Sequence, residues 1–275
     1  GYKEIYFGSD NNLLHGHNSF GEELVGFPFQ STDRIRSSPA IGDVDNDGQM
    51  EIVFGNSSGK LYIINQDGSQ QLAYTQLGFI EGAPALVDID GDQDLEIIFT
   101  TTTGSGGQVY VIHHNGATES GFPKEIGSMF AGPAVHDLDN DGVVDVVCVT
   151  YDKEIYVIEA IGGAIKSGFP FTAESRFSMP ATIVDVDSDG DYEIAAGCNS
   201  GDLYILHHDG TIHSQYDTGD DIRGGISVCD LNNDGQLDLL FGGYDDRIHV
   251  WDPMAGELLP GWSVDLGYNS LSEPV

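Results

Sequence analysis

Five acidic loops of nearly the same sequence recur along this 275-residue chain. They read DVDNDGQME, DIDGDQDLE, DLDNDGVVD, DVDSDGDYE and DLNNDGQLD, and they begin at Asp43, Asp88, Asp137, Asp185 and Asp230. Side-chain oxygens at positions 1, 3 and 5, a turn residue at 6, a backbone carbonyl at 7 and a carboxylate at 9 form the oxygen-only ligand set that calcium prefers. The loops contain no Cys or His, which disfavours zinc and copper. We therefore predict about five bound calcium ions.

The predicted metal ligands are the residues at positions 1, 3, 5, 7 and 9 of each loop. They are Asp43, Asp45, Asp47, Gln49 and Glu51; Asp88, Asp90, Asp92, Asp94 and Glu96; Asp137, Asp139, Asp141, Val143 and Asp145; Asp185, Asp187, Asp189, Asp191 and Glu193; and Asp230, Asn232, Asp234, Gln236 and Asp238. Each loop opens like the calcium loop of an EF-hand, but its last carboxylate stands at position 9 rather than 12, and a strand follows instead of a helix. Clustered carboxylates repel one another and favour an open loop until a cation binds. Metal binding therefore contributes to folding, and the predicted role of the ion is structural.

The loops start 45, 49, 48 and 45 residues apart, which indicates a repeated supersecondary unit of the propeller or solenoid type. Within one unit, short apolar segments such as MEIVFG and KLYIIN alternate with Gly-rich turns, and helical periodicity is absent. The sequence thus predicts an all-β fold, a β-propeller of four-stranded antiparallel blades.

The ends of the chain suggest how the propeller closes. Residues 1–5 fit the end of a sixth acidic loop and the strand after it, whereas residues 272–275 fit a first strand. We expect one propeller domain over residues 1–275, with six blades closed by pairing of the C-terminal strand with the N-terminal partial blade; seven blades are the alternative, and a completed split loop would add a sixth calcium ion. The expected segments are a partial blade at 1–30, repeats at about 37–80, 81–127, 131–176, 178–220 and 224–268, and a closing strand at about 270–275.

The composition narrows the class of partner. The formal charge is −35, from 45 acidic and 10 basic residues, and five bound divalent cations would still leave about −25, which disfavours nucleic acids and anionic membranes. No segment approaches 18 consecutive apolar residues, so membrane insertion is not expected.

Three cysteines are too few for a disulfide framework. Asn56-Ser57-Ser58 matches a glycosylation sequon, and the His113-His114 and His207-His208 pairs are interpreted as products of repeat ancestry rather than as metal ligands.

The Phe-Gly pairs at Phe7-Gly8, Phe54-Gly55 and Phe241-Gly242, the Gly82-Ala83-Pro84 segment and the acidic loops resemble FG-GAP/VCBS repeats, the units of the integrin alpha-subunit propeller and of many secreted bacterial proteins. Gly-Phe-Pro segments at Gly26, Gly121 and Gly168 are similar to the bacterial extracellular type. The resemblance covers essentially the whole chain. It implies calcium in the loop between the first and second strands of a blade and an extracellular setting, secreted or at the cell surface. Gln93 and Asn232 depart from the motif, so the second and fifth sites are expected to be the weakest.

A second group of candidate residues precedes the acidic loops, in the turns that join one blade to the next. These turns are expected on the face opposite the calcium loops, and they combine arginines with aromatic residues, namely Arg34, Arg36, Phe79, Phe130, Arg176, Arg223 and Tyr268. Arginines pair with carboxylates and aromatic rings stack on sugars, so a carbohydrate or protein ligand is expected there. Ties between these arginines and local aspartates are the alternative.

The sequence therefore predicts a calcium-stabilised extracellular binding or adhesion module, of lectin-like type and part of a larger secreted or surface protein. It is not expected to be an enzyme. The alternatives are a polysaccharide-degrading enzyme of the lyase type and a spacer domain without a ligand of its own; fold alone does not decide among the three.

Overall fold

The structure is a computed structural model that describes residues 3–269. Over these residues every regular element is a β-strand, and the strands form six antiparallel sheets. Contacts divide the chain into two compact units, residues 1–133 with 160–163 and residues 134–159 with 164–275. None of the described elements is a helix of the length and apolar character needed to span a membrane.

The first unit holds three sheets whose strands follow one another in chain order. The first has three strands, β1 (Glu4–Gly8), β2 (Leu13–Asn18) and β3 (Phe29–Gln30). The second has β4 (Ala40–Gly42), β5 (Glu51–Gly55), β6 (Lys60–Asn65) and β7 (Gln70–Thr75), and the third has β8 (Ala85–Val87), β9 (Glu96–Thr100), β10 (Gly107–Ile112) and β11 (Lys124–Ile126).

The second unit repeats this order three times. The fourth sheet has β12 (Ala134–His136), β13 (Asp145–Val149), β14 (Glu154–Glu159) and β15 (Phe171–Thr172); the fifth has β16 (Thr182–Val184), β17 (Glu193–Gly197), β18 (Asp202–Leu206) and β19 (Ile212–Asp217). The sixth has β20 (Ser227–Cys229), β21 (Asp238–Gly242), β22 (Arg247–Asp252) and β23 (Glu257–Leu258), and β24 (Val264–Asp265) also pairs with β22.

This architecture confirms the predicted fold class, an all-β propeller built from antiparallel blades, and six sheets match the six predicted blades. The closing strand at 270–275 and the first two residues of the split loop lie outside the described residues. Closure of the ring by these ends, the sixth calcium ion and the single-domain assignment stay predictions.

The core lies between consecutive sheets of a unit. In the second sheet every residue of β5 is buried, and its side chains alternate between two clusters. Ile52 and Phe54 pack with Leu14 of the first sheet, whereas Val53 packs with Ile97 and Phe99 of the third. The twofold alternation of a strand therefore lets one apolar segment serve both neighbours, which explains why these strands read as continuous hydrophobic runs.

The glycine that ends the second strand of a blade is required by close packing. A Cβ at Gly55 would lie 2.1 Å from Ile80 Cγ2, and one at Gly197 would lie 2.4 Å from Ile222 Cγ2. Real Cβ atoms do not approach so closely, so the isoleucine of the following inter-blade turn can cover the strand end only if glycine stands there. The Phe54-Gly55 pair thus marks where a blade meets the turn that leads to the next, and Gly197, which follows Ala196, marks the same place in the fifth sheet.

Candidate metal sites and the arginine clusters

Each acidic loop connects the first strand of a blade to the second. Two backbone positions in each loop turn the chain by adopting a positive φ. Position 4 adopts a positive φ in all five loops, at Asn46, Gly91, Asn140, Ser188 and Asn233. Position 6 does the same, with φ between 80° and 101°, and it is glycine in every loop except the second, where Gln93 takes φ 80°. The left-handed region disfavours residues with a Cβ, so Gln93 carries backbone strain.

Backbone amides donate to carboxylates within every loop. In the first loop the amides of Asp47 and Gly48 donate to the two Asp43 carboxylate oxygens at 3.0 and 2.9 Å. The third and fifth loops repeat this pair of bonds to Asp137 and Asp230. The position 7 amide also donates to the position 5 carboxylate in every loop, at 2.8 to 2.9 Å. The loops are therefore preorganised by bonds that fix the orientation of their oxygens.

The position 9 carboxylate is the buried member of each set. Its residues are Glu51, Glu96, Asp145, Glu193 and Asp238, and none is more than 2% exposed. One oxygen of each accepts from the amide of position 2 of its own loop, at 2.9 to 3.2 Å. Desolvation by burial is the largest influence on each of them, and it raises the pKa of all five carboxyls. A bound cation would reverse that penalty, because it stabilises the ionised form.

The arrangement of carboxylate oxygens in the loops fits a hard cation such as calcium. One ligand oxygen from each of three carboxylates lies within 4.8 Å of the others in the first four loops: positions 1, 3 and 9 in the first, second and fourth, and positions 1, 3 and 5 in the third. Among the described residues, Asp45 Oδ1, Asp139 Oδ1, Asp145 Oδ1 and Asp185 Oδ1 are buried without a hydrogen-bond partner. Buried anionic oxygens that lack donors are costly, and a calcium ion is a fitting partner for them.

The fifth loop differs as its sequence predicts. Asn232 stands at position 3, where the other loops contribute a carboxylate, and its Nδ2 donates to Asp234 Oδ2 at 2.8 Å. One ligand is thus neutral and already engaged by a neighbour. Together with the strain at Gln93, this agrees with the prediction that the fifth and second loops bind calcium least well, an ordering that stays a prediction.

The third loop contains a cation of its own, which sequence reasoning missed. Lys166 Nζ lies 2.8 Å from Asp139 Oδ2 and 2.7 Å from Asp145 Oδ2, and its side chain is only 11% exposed. Burial alone would lower the pKa of Lys166, but its bonds to the two carboxylates outweigh burial and raise it. The ammonium group therefore competes with any metal ion for two of the predicted ligands. No sequence pattern indicates this contact, because Lys166 lies 21 residues after Asp145 and reaches the loop only through the pairing of β14 with the next segment.

The paired histidines contact acids of their own loops. His113 Nδ1 lies 2.9 Å from Glu96 Oε1, and His114 Nδ1 lies 3.0 Å from Asp94 Oδ2. His207 and His208 lie near Glu193 and Asp191 in the same way, at 3.3 Å each. These histidines therefore pack around the predicted ligands of positions 9 and 7. Their matching places in two repeats agree with the interpretation from ancestry, whereas the contacts with the acids were not foreseen.

In the first unit the inter-blade arginines have acidic and hydroxyl partners. Arg36 Nε lies 3.3 Å from Asp10 Oδ1, and its Nη1 lies 3.7 Å from Glu81 Oε1. Arg34 Nε donates to Ser57 Oγ at 3.4 Å. Phe79 is 47% exposed, and its backbone pairs with Thr102. The ties to local acids that the sequence left open are thus present at Arg36.

In the second unit two arginines share one amide. With the Asn199 amide oriented to satisfy its neighbours, its carbonyl oxygen accepts from Arg176 Nε and Arg223 Nε, both at 3.2 Å, while its NH₂ group donates to Ser178 Oγ. Each guanidinium also stacks on a tyrosine, Arg176 over Tyr151 at 5.1 Å and Arg223 over Tyr244 at 4.6 Å from the ring centroid.

Among the described residues, one of these two guanidinium groups forms an ion pair with a carboxylate. Arg223 Nη2 pairs with Asp221 Oδ2 at 2.6 Å, and this bond is the main reason that the pKa of Arg223 is raised. We call Tyr151, Arg176, Asn199, Arg223 and Tyr244 the arginine–tyrosine cluster. Sequence reasoning identified its arginines but missed the tyrosines and Asn199. A Tyr-Asp pair after the second strand of two repeats, at Tyr151 and Tyr244, was the available signal. Tyr268, also predicted here, is 83% exposed.

Comparison with solved structures supports the fold. The chain is similar to BBS1N in its crystal structure in complex with ARL6DN, with a TM-score of 0.62 and 11% identity over 97% of this chain and 81% of that one. It is similar to BamB from Moraxella catarrhalis, with a TM-score of 0.61 and 16% identity over 90% and 69% of the two chains. The WD40 β-propeller domain of Doa1 gives a TM-score of 0.57 and 14% identity over 98% and 81%. No curated protein sequence matches the chain.

The family model for the FG-GAP-like repeat matches residues 43–99, 88–148 and 185–241. Each match begins at the first aspartate of an acidic loop and ends within or next to the second strand of a later blade, so the model recognises the loop-and-strand unit that the structure repeats. These matches cover more than half of the chain, and the protein belongs to the family of FG-GAP-like repeat proteins.

Proposed function

We propose that this protein is a calcium-stabilised extracellular binding module whose ligand is an acidic carbohydrate held by the arginine–tyrosine cluster. The observation that carries the proposal is the fivefold repetition of one loop geometry, in which the same amide contacts hold a buried position 9 carboxylate. Such loops are stable only when their carboxylates are neutralised, and millimolar extracellular calcium provides that cation.

The role of calcium in this proposal is structural. The loops join the first and second strands of each blade, and their position 9 residues are the first residues of β5, β9, β13, β17 and β21. An ion held by positions 1, 3, 5, 7 and 9 would fix the crossing between two strands of one sheet. Metal binding would then add directly to the stability of the blade.

The ligand is assigned to the cluster because of its chemistry. Two guanidinium groups within hydrogen-bond distance of one amide oxygen offer several N–H donors, and the aromatic rings beneath them limit their motion. Only one carboxylate, Asp221, forms an ion pair with these two arginines among the described residues. A uronate or another acidic sugar supplies the carboxylate that a fork of two arginines recognises.

An extracellular setting accords with the family, since FG-GAP-like repeats are typical of extracellular proteins. Cleavage of a polysaccharide is the alternative to binding, and it would require a general base beside the bound sugar.

The proposal is tested on a glycan array that includes uronate-containing oligosaccharides, probed in millimolar calcium and again after chelation. We expect the intact protein to bind acidic glycans in calcium and the Arg176→Ala/Arg223→Ala variant to lose that binding while its melting temperature in calcium stays within a few degrees. The Arg34→Ala/Arg36→Ala variant tests the other arginine pair. Arg247→Ala is the control, because Arg247 donates to Ser263 outside both groups.

Normal glycan binding by Arg176→Ala/Arg223→Ala would place the ligand elsewhere. Unfolding of that variant would show that these arginines are structural ties between turns. Release of shortened oligosaccharides from the array would support the alternative function, cleavage of a polysaccharide.

A further inference from the structure

Three side chains on the first sheet form a cluster that differs in chemistry from the acidic loops. His15 and His17 lie two residues apart on β2 and therefore on one face, and Glu23 follows in the segment that returns alongside them. One ligand atom from each residue lies within 4.8 Å of the other two. His15 Nδ1 is 2.9 Å from Glu23 Oε1, and these side chains are 22% and 37% exposed, so the cluster is open to an incoming ion.

Repeat ancestry does not explain these residues. In the strand register, His15 pairs with Phe7 and His17 pairs with Ile5. The place of His15 is taken by Tyr62 in the second sheet, opposite Phe54, and by Tyr110 in the third, opposite Phe99. The place of His17 is taken in the second sheet by Ile64, opposite Ile52. The remaining blades carry Tyr156 and Ile158, Tyr204 and Leu206, and His249 and Trp251 at these two places. Glu23 bridges to His17 where Thr118 bridges to Ile112 and Ile165 to Ile158. The first sheet thus carries metal-binding residues at all three places, whereas the residues named in the other sheets are aromatic, aliphatic or threonine, apart from His249.

The surroundings of the cluster orient its nitrogens. His17 Nδ1 lies 3.2 Å from the Gly21 carbonyl oxygen, which can only accept, so Nδ1 is the donor and Nε2 of the neutral ring keeps its lone pair. A backbone carbonyl on the far nitrogen is the usual support of a metal-bound histidine. Phe7 stacks on both rings, at 5.2 Å from His15 and 5.7 Å from His17, and restricts their rotation.

We infer that His15, His17 and Glu23 form a site for a divalent transition-metal ion, best matched to Zn²⁺. Two imidazoles and one carboxylate are a known ligand set for zinc with an open fourth position. In a tetrahedral site the ligand atoms stand about 3.3 Å apart when each is about 2.0 Å from zinc. The His15–Glu23 pair is already near that separation, and the metal would take the place of the proton that the two groups share. Calcium does not compete well here, because it prefers oxygen ligands.

The test uses zinc titration of the whole chain in millimolar calcium, which keeps the acidic loops supplied with their own ion. We expect one zinc ion to bind ahead of all others, and Co²⁺ to show the visible bands of a four-coordinate nitrogen–oxygen site. The double variant His15→Tyr/His17→Ile, which restores the residues of the other blades, should weaken that first ion at least tenfold. Glu23→Gln, which keeps the size of the side chain, should also weaken it about tenfold or more and provides a second measurement if the double variant does not fold.

His249→Tyr is the matched control, because His249 occupies the position of His15 in the sixth sheet, but its ring nitrogens lie next to Asp245 and the Tyr216 hydroxyl instead of a second histidine and a glutamate. It should leave the first zinc ion unaffected. Unchanged zinc affinity in both cluster variants, or a first zinc ion lost in His249→Tyr, would overturn the inference and assign the zinc to other residues.

Discussion

Replacing Lys166 with methionine should strengthen calcium binding in the third loop. In the structure the ammonium group bonds Asp139 and Asp145, two of the predicted ligands, at 2.8 and 2.7 Å. A calcium ion on the same carboxylates would stand about 5 Å from the ammonium, and at an effective dielectric constant of about 20 a single and a double positive charge repel there by about 7 kcal/mol.

The side chain can avoid that repulsion by turning toward water. The cost is then limited to the two charge-assisted hydrogen bonds that it gives up, about 1.5 kcal/mol each. A total of about 3 kcal/mol corresponds to a factor on the order of 100 in the dissociation constant. Methionine keeps the length and the apolar packing of the side chain but removes the competing charge.

Competition with a chromophoric calcium chelator measures the effect. We expect Lys166→Met to gain one tight site relative to the unaltered protein, and Lys166→Met/Asp141→Asn to lose that gain, which assigns it to the third loop. Lys153→Met is the matched control: it removes the same charge, but the Lys153 ammonium donates to the Glu174 carbonyl, outside the acidic loops, and its loss should change calcium binding little. Equal or weaker binding by Lys166→Met would refute the reasoning and make the lysine a partner of the metal rather than its competitor.

Chelation of calcium should lower the melting temperature by more than about ten degrees, since each site held at 100 times its dissociation constant contributes about 2.7 kcal/mol and several sites act together; an unchanged melting curve after verified removal of the metal would contradict a structural role. Gln93→Gly should stabilise the protein by about 1 kcal/mol in chemical denaturation, because Gln93 holds φ 80° and glycine does so without strain. Gly48→Ala, at φ 88° in the first loop, should lower the stability of the protein; a change in the same direction in both variants would contradict backbone strain at Gln93.

Much of the fold could be predicted because its signals are local and repeated. The nine-residue loops fix the blade period, the apolar segments mark the second and third strands, and the glycines that end two of the second strands, Gly55 and Gly197, mark close packing. Three predicted ligands converge in each of the first four loops for a similar reason, since neighbours within nine residues are held by the turn itself. The two loops predicted to bind calcium least well also depart from the motif visibly in the sequence, at Gln93 and Asn232.

Other features depend on strand pairing and on burial, which no short segment encodes. Lys166 reaches Asp145 across 21 residues because β14 pairs with the segment that returns after it. Asn56 heads a glycosylation sequon by sequence, yet it is fully buried, with its amide donating to Ser31 and Thr32, so a glycan has no access to it.

The repeat, the blade and the acidic loops follow from local sequence, because backbone conformation and ligand spacing are set within a few residues. Which side chains contact those loops, and which polar groups are buried away from water, depends on the folded arrangement of the strands. The pairing of strands and turns brings Lys166 to the third loop and places two arginines within hydrogen-bond distance of Asn199. It also brings His15, His17 and Glu23 together on the first sheet. Such contacts join residues that are distant in the chain, and their energies depend on a charge and a burial that exist only after the strands have paired.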